Sequence, residues 1–269
     1  MAEDKEILRE LWNGQIPVQF VLSSDEITAL ASEAPQPFFA LVPRQTYFPL
    51  ALDKVNRHFL KYISQAAGQE MWLECDGAPL RHHYPVGVLF DLYGDETRLP
   101  WTLTVHYSNF PESELVHLNS REAIEAFFMA TLKEADVLKH RNAVITNMQK
   151  KDHKNLWTGL SNDRFDLFWS VNKKLMETSI EMPHFRNIPF RLYQPDKSFL
   201  QKLIKPVDEE DHRLTTLDDL LHQTLTNINV SSAVVLIQGI EVPRETPLQW
   251  LSEHMSYPDN FLHICVHSA

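Results

Sequence analysis

The stretch from Asn119 to Glu177 reads as almost continuous helix, and stretches that read as sheet lie on both sides of it. It opens with Asn119-Ser120-Arg121-Glu122, a short polar residue three places before a Glu. That spacing predicts a capping box, which satisfies orphan N–H groups at a helix start. Apolar positions then recur at Ile124, Phe127, Phe128, Thr131 (through its methyl), Ala135 and Leu138. This is helical spacing with one face turned to a core. At about 100° per residue, Lys133 falls roughly 180° from Ile124 and is expected in water. A solvated surface lysine is the ordinary meaning of such a position. The sharper one is an exposed amine on a rigid helix, as an acceptor or nucleophile needs. The helix pattern alone does not separate the two.

The flanks repeat one another. Glu3 to Trp12 reads as a short amphipathic helix with Ile7, Leu8, Leu11 and Trp12 on its apolar side, stopped by Gly14. Ile16–Leu22 and Phe38–Pro43 read as strands, separated by a polar loop in which Pro35 and Pro37 bar helix. Phe48–Ile63 follows as an amphipathic helix, then Met71–Glu74 and Val86–Leu92 as strands. Trp101–Tyr107 alternates cleanly, as a half-buried strand does. Beyond the helical middle the order returns. Asn187-Ile188-Pro189 introduces a strand to Tyr193 much as Gln15-Ile16-Pro17 introduces the first. Phe199–Ile204 is its expected hairpin partner, and Thr216–Leu225 a helix capped by Thr215 or Thr216. Ala233–Ile237 is a β-branched strand, Thr246-Pro247 opens a short helix to Met255, and Phe261–His267 is a last strand. Two β-grasp, or ubiquitin-like, modules with a helical insert account for this repeat better than one mixed sheet. The expected fold class is α+β, with parallel pairing of the first and last strands of each module. The expected divisions are an N-terminal helix (1–13), a first ubiquitin-like domain (14–112), a helix-rich domain (113–185) and a second ubiquitin-like domain (186–269).

Charge and cysteine usage narrow the function. A net charge of −11 argues against a nucleic-acid binder. The centre departs from that balance, because Lys133, Lys139, Arg141, Lys150, Lys151 and Lys154 outnumber Glu134, Asp136 and Asp152. The expectation is a solvated helix face, with a contact to anionic membrane as the alternative. Cys75 and Cys265 do not make a disulfide framework, and Met1–Arg9 is charged and lacks an apolar signal core. No run approaches the ~18 apolar residues of a membrane span. A reduced cytoplasmic protein, at most peripheral to a membrane, is expected. Glu74 and Asp76 flank Cys75, a negative setting that raises a thiol pKa, and Cys265 sits in the alternating last strand. Both are expected to be structural thiols. His82 and His83 are adjacent, so on a strand they face opposite ways and cannot share a metal. HExxH, CxxC and GxGxxG are missing, so no metal, no cofactor and no catalytic centre are expected. A transferable ubiquitin-like modifier ends in glycine, whereas this sequence ends Val266-His267-Ser268-Ala269. The expectation is an acceptor or a binding module, not a donor.

Longer motifs carry a resemblance. Met129-Ala130-Thr131-Leu132-Lys133-Glu134-Ala135-Asp136-Val137-Leu138-Lys139-His140 and Met148-Gln149-Lys150-Lys151-Asp152-His153-Lys154 are two of them. His83-Tyr84-Pro85-Val86-Gly87-Val88-Leu89-Phe90-Asp91-Leu92 and Thr246-Pro247-Leu248-Gln249-Trp250-Leu251-Ser252-Glu253-His254 are two more. Together they make almost the whole chain resemble the autophagy protein 5 family, with a departure at Thr226–Ser232, where a loop looks shorter. The resemblance implies two ubiquitin-like domains flanking a helix-rich one. It implies that Lys133 receives the C-terminal glycine of the ubiquitin-like autophagy protein 12 as an isopeptide, delivered by E2-like enzymes. It implies that the conjugate binds the N-terminal helix of autophagy protein 16, and acts like an E3 to promote lipidation of autophagy protein 8 with phosphatidylethanolamine at the autophagosome precursor membrane. Trp12, Arg44 and Gly87 resemble positions that line the partner groove. An apolar helix ending at Trp12 is expected along the seam between domains, with Gly87 in a strand where glycine admits a close neighbour. Two other classes remain: an unconjugated ubiquitin-fold peptide adaptor, and a thiol hydrolase built on Cys75 or Cys265.

Overall fold

The computed structural model describes residues 4–27, 35–63, 70–178, 183–194, 199–210, 212–225 and 230–267. Glu3 at the expected helix start, residues 28–34 of the polar loop, 226–229 of the short loop, and the last two residues lie outside them. The chain forms two compact units, one of residues 14–125 and a larger one of residues 1–13 and 126–269. Helix α1 (Asp4–Trp12) belongs to the larger unit.

The smaller unit is built on five strands: β1 (Gln15–Leu22), β2 (Phe38–Pro43), β3 (Trp72–Cys75), β4 (Ala78–Pro79) and β5 (Trp101–His106). Their order in the sheet is β2-β1-β5-β3-β4. β1 runs parallel to β5, from Val18↔Trp101 to Leu22↔Val105, and antiparallel to β2. Arg44 N–H donates to Gly14 O at 2.9 Å, which makes 16/42, 18/40 and 20/38 the hydrogen-bonded pairs of β1 and β2. Pro17 and Pro43 stand in the alternate pairs, where no donor is missed. Ile16, Val18, Phe20 and Leu22 are buried, as are Phe48, Leu52, Val55 and Phe59, and the Phe20 and Phe48 rings meet edge-on at 6.4 Å. The latter four lie along α2 (Phe48–Ala51) and α3 (Asp53–Phe59), with Leu52 at their junction. The expected single helix Phe48–Ile63 is therefore divided at Leu52, and it ends in a 3-10 turn at Leu60–Tyr62.

One expected strand is wrong. Val86–Leu92 lies in helix α4 (Val86–Tyr93), opened by Pro85 and closed at Gly94. Every residue from Val86 to Leu92 is buried. A run apolar all round carries no period to distinguish a buried strand from a buried helix. It follows that Gly87 is not a strand glycine, and that His82 and His83 lie in the turn before α4.

Helix α5 (Arg121–His140) belongs to the larger unit from residue 126 onward, and that unit also carries α6 (Ala143–Thr146), α7 (Lys150–Ser161) and α8 (Phe165–Asn172). Ser120 caps α5, its Oγ accepting from Ala123 N–H at 3.1 Å. The expected Asn119/Glu122 box does not form, because the helix starts one residue later than that spacing requires. The expected continuous helix breaks after His140, where Arg141 and Asn142 take positive φ of 57° and 65°. Four strands follow: β6 (Phe190–Tyr193), β7 (Val234–Ile237), β8 (Ile240–Glu241) and β9 (Leu262–His267), in the order β6-β9-β7-β8. β6 and β9 pair in parallel, from Phe190↔Leu262 to Tyr193↔Cys265. The expected strand Phe199–Ile204 is reduced to a bridge between Leu192 and Leu200, and Leu203 is 74% exposed. Helix α9 (Leu217–Thr224) starts in a capping box of Thr216 and Asp219. Helix α10 (Leu248–His254) has Pro247 at its N-cap, one place before the expected first turn. Both sheets thus pair the first and last strands of their module in parallel, as in a β-grasp and as the sequence repeat predicts, with β6 at the edge of the second sheet.

Candidate functional site

The buried side of α5 comprises Ile124, Phe128, Thr131, Leu132, Ala135, Asp136 and Lys139. Lys133 lies on the exposed side, and no hydrogen bond or ion pair joins its amine to any described residue. The nearest acids in sequence are committed elsewhere. Asp136 turns inward, where Oδ2 accepts Ile145 N–H at 2.9 Å. Glu134 is held by Arg191 and Gln201. The arrangement presents an unencumbered amine on a helix whose other face is fixed by packing. Among the described residues no base lies within hydrogen-bond reach of it.

The basic face is smaller than expected. Lys133, Arg141, Lys150, Lys151 and Lys154 are exposed, but Lys139 is 2% exposed. Its Nζ lies 3.1 Å from Met176 Sδ, 3.5 Å from Asn260 Oδ1 and 4.5 Å from the centre of the Phe185 ring. Burial lowers its pKa to about 7, against the pull of Glu253, Asp136 and Asp259. The wheel contained this signal: at about 100° per residue, Lys139 falls only roughly 60° from Ile124, beside the apolar stripe.

Arg44 and Gly87 meet in the smaller unit. Arg44 follows β2, and its carbonyl accepts Gly87 N–H at 2.9 Å in the first turn of α4. The guanidinium Nη2 returns a bond to Gly87 O at 3.4 Å and pairs with Asp91, whose side chain is 3% exposed. Arg44 itself is only 12% exposed, so it is not a solvated strand end. Sequence reading missed Asp91, although a carboxylate inside an otherwise apolar run is itself the mark of a buried ion pair. Trp12 belongs to the larger unit. It is 7% exposed, packs at 5.0 Å from Phe168 and 5.8 Å from Phe165, and donates from Nε1 to Asp163 at 2.6 Å. Arg9 and Lys5 both pair with Asp166. These contacts bind α1 to the α7–α8 turn.

Both thiols are buried, and neither is in a disulfide. Burial pushes the Cys75 thiol up, and Asp76 and Glu74 add to it, against a Trp101 N–H donated to Sγ at 3.3 Å. His82 is buried, and burial lowers its pKa to about 4. Among the described residues no cluster of His, Cys, Asp or Glu has the arrangement of a metal site. A buried chain runs from Tyr193 Oη to His263 Nδ1 (2.8 Å) and from His263 Nε2 to Asp259 Oδ2 (2.9 Å). With Asp259 and His263 only 1–2% exposed, it joins β6 to β9 and is closed to solvent. No helix of the described residues is long and apolar enough to cross a membrane.

Comparison with known proteins gives three consecutive family matches. The model described as "Autophagy protein ATG5, UblA domain" matches residues 11–107. The "alpha-helical bundle region" of the same protein matches 121–178. Its "UblB domain" matches 187–266. Autophagy protein 5 of Drosophila melanogaster is 47% identical over 270 residues, covering 99% of this chain and 98% of its own length. Autophagy-related protein 5 of Caenorhabditis elegans is 34% identical over 274 residues, covering 97% of each. The crystal structure of Kluyveromyces marxianus Atg5 superimposes with a TM-score of 0.83 at 22% identity, over 98% of this chain and 100% of that one. At that identity the likeness speaks to the fold.

Proposed function

The chain belongs to the autophagy protein 5 family, and we propose that it acts there as a conjugation scaffold. Lys133 is the acceptor of the ubiquitin-like autophagy protein 12, joined through an isopeptide bond. Trp12, Arg44 and Gly87 belong to the surface that takes the N-terminal helix of autophagy protein 16. The conjugate then acts like an E3: it engages an E2-like enzyme and promotes transfer of autophagy protein 8 to phosphatidylethanolamine. The chain contributes no catalytic centre of its own, and it works from the cytoplasm at the autophagosome precursor membrane. The division into 1–13, 14–112, 113–185 and 186–269 assigns the acceptor to the helix-rich domain.

The observation that carries this reading is the Lys133 amine, exposed and joined to none of the described residues, on a helix that is buried along its other face. An acceptor needs exposure and a rigid base, and the activated thioester of the E2 supplies the electrophile. Lys133→Arg keeps the charge and removes the acceptor amine. In cells, the wild-type chain is expected to migrate as a heavier species under reducing, denaturing conditions, and the variant as the unmodified mass. A heavier species that persists in the variant at wild-type level would move the acceptor to another lysine. A wild-type chain found only at its own mass would favour the unconjugated adaptor.

A further inference from the structure

We propose that Glu134 is a positioning residue for transfer to Lys133, tying the turn of α5 that carries the acceptor amine to strand β6. This rests on Lys133 being the acceptor. Both Glu134 oxygens are engaged from outside the helix: Oε2 accepts Arg191 Nη2 at 3.1 Å and Oε1 accepts Gln201 Nε2 at 2.8 Å. The anchor is stiff. Arg191 lies in β6, its side chain is 7% exposed, and its guanidinium sits 4.1 Å from the Phe261 ring centre and 4.8 Å from that of Phe199. Gln201 follows Leu200, which bridges Leu192 of the same strand. Both donors therefore reach Glu134 from β6 or from a segment paired with it.

Attack on a thioester requires the amine within a few ångströms of the carbonyl carbon and aligned with it. The lysine side chain is long and bonds to none of the described residues, so the turn beneath it is the part that can be fixed in advance. Packing of Leu132 and Ala135 fixes which way that turn faces. The bonds to Glu134 fix it against the second sheet on its solvent side, where packing does not reach. Glu134 itself is half exposed, so this carboxylate is not needed to fill the core.

The test is discharge of a purified E2–modifier thioester onto the full-length chain, measured against acceptor concentration. Glu134→Ala is expected to lower the maximal rate roughly tenfold while the half-saturating concentration and the melting temperature hold. Glu134→Gln, which keeps an oxygen acceptor for Arg191, is expected to recover most of the rate. Gln201→Ala, at an exposed position, should fall between. A Glu134→Ala chain at wild-type rate would overturn the proposal. So would a Glu134→Gln chain as slow as Glu134→Ala, or a rate loss matched by collapse of the melting temperature. Lys133→Arg run in parallel separates the two readings: if it is still modified, the acceptor assignment fails and the positioning role falls with it. If it is inert and Glu134→Ala is unaffected, only the positioning role fails.

Discussion

At the residue scale, two basic side chains separated by six positions on α5 have opposite fates. Lys133 stands in water, and Lys139 is enclosed by Met176, Phe185 and Asn260. Burial disfavours the ammonium form, so Lys139 titrates near 7 in the folded chain and near ~10.4 when unfolded. Between those values the unfolded chain binds more protons, so this group makes stability rise with pH from about 7 to about 10. Urea unfolding at pH 7 and pH 9 is expected to show that gain in the wild type. Lys139→Met, which fills the space without a charge, should be more stable at pH 7 and lack this part of the slope. Arg44 behaves as a buried cation. Arg44→Ala leaves Asp91 without its guanidinium in an enclosed site, and a loss of roughly 3 kcal/mol is expected in denaturant titration. Gly87→Asp puts a second carboxylate one helical turn from Asp91, at a buried position. It too is expected to lower the melting temperature. Loss of a partner in either variant is therefore expected to accompany loss of local fold.

At the scale of elements, the decisive contact is between α7 and α8. Gly159 lies where the two helices meet: a Cβ built on it would be 2.7 Å from both the Cβ and the backbone N of Phe168. Gly159→Ala must force the helices apart, and overpacking of this kind costs about 1–3 kcal/mol. Phe168 also packs on Trp12, and Asp163 between the helices accepts the Trp12 indole N–H. The same substitution is thus expected to loosen α1. Faster amide exchange across Asp4–Trp12, with exchange in β1 unchanged, is the measurement that checks it. The element that sequence misread, α4, shows the limit of pattern: periodicity identifies an element only when one of its faces meets water. β1, β5 and α5 each have such a face and were legible. Phe199–Ile204 failed for the opposite reason, since its apolar residues suggested a strand while Leu200 and Leu203 remain exposed.

For the molecule as a whole, the proposed function makes it a scaffold whose chemistry is supplied by others. Changing both Cys75 and Cys265 to Ala is expected to leave conjugation and lipidation-promoting activity near wild type once protein amount is matched. Both thiols are buried, so a stability loss of about 1–2 kcal/mol should accompany the change. A folded double variant that is still conjugated but has lost lipidation activity would assign a thiol to the reaction and overturn the non-enzymatic reading. Family membership follows from similarity along the full chain, and it carries the fold and the setting in autophagy. The chemistry at Lys133 is the part that the conjugation assays address.

The amino-acid sequence by itself determined the repeat of two β-grasp modules, the helical insert, the parallel pairing of each module's first and last strands and the solvent side of Lys133. Most of these are written in local periodicity, which reports whether each residue faces water or core; β6 and β9, buried along nearly their whole length, were legible from the repeated order of elements instead. Tertiary structure alone decided that Asp91 meets Arg44, that Glu134 is held from β6, and that Lys139 is enclosed by residues 37 and 121 positions further along the chain. Such pairings depend on which distant segments the fold brings within about 3 Å. A one-dimensional pattern contains the burial of each partner but not the distance between them.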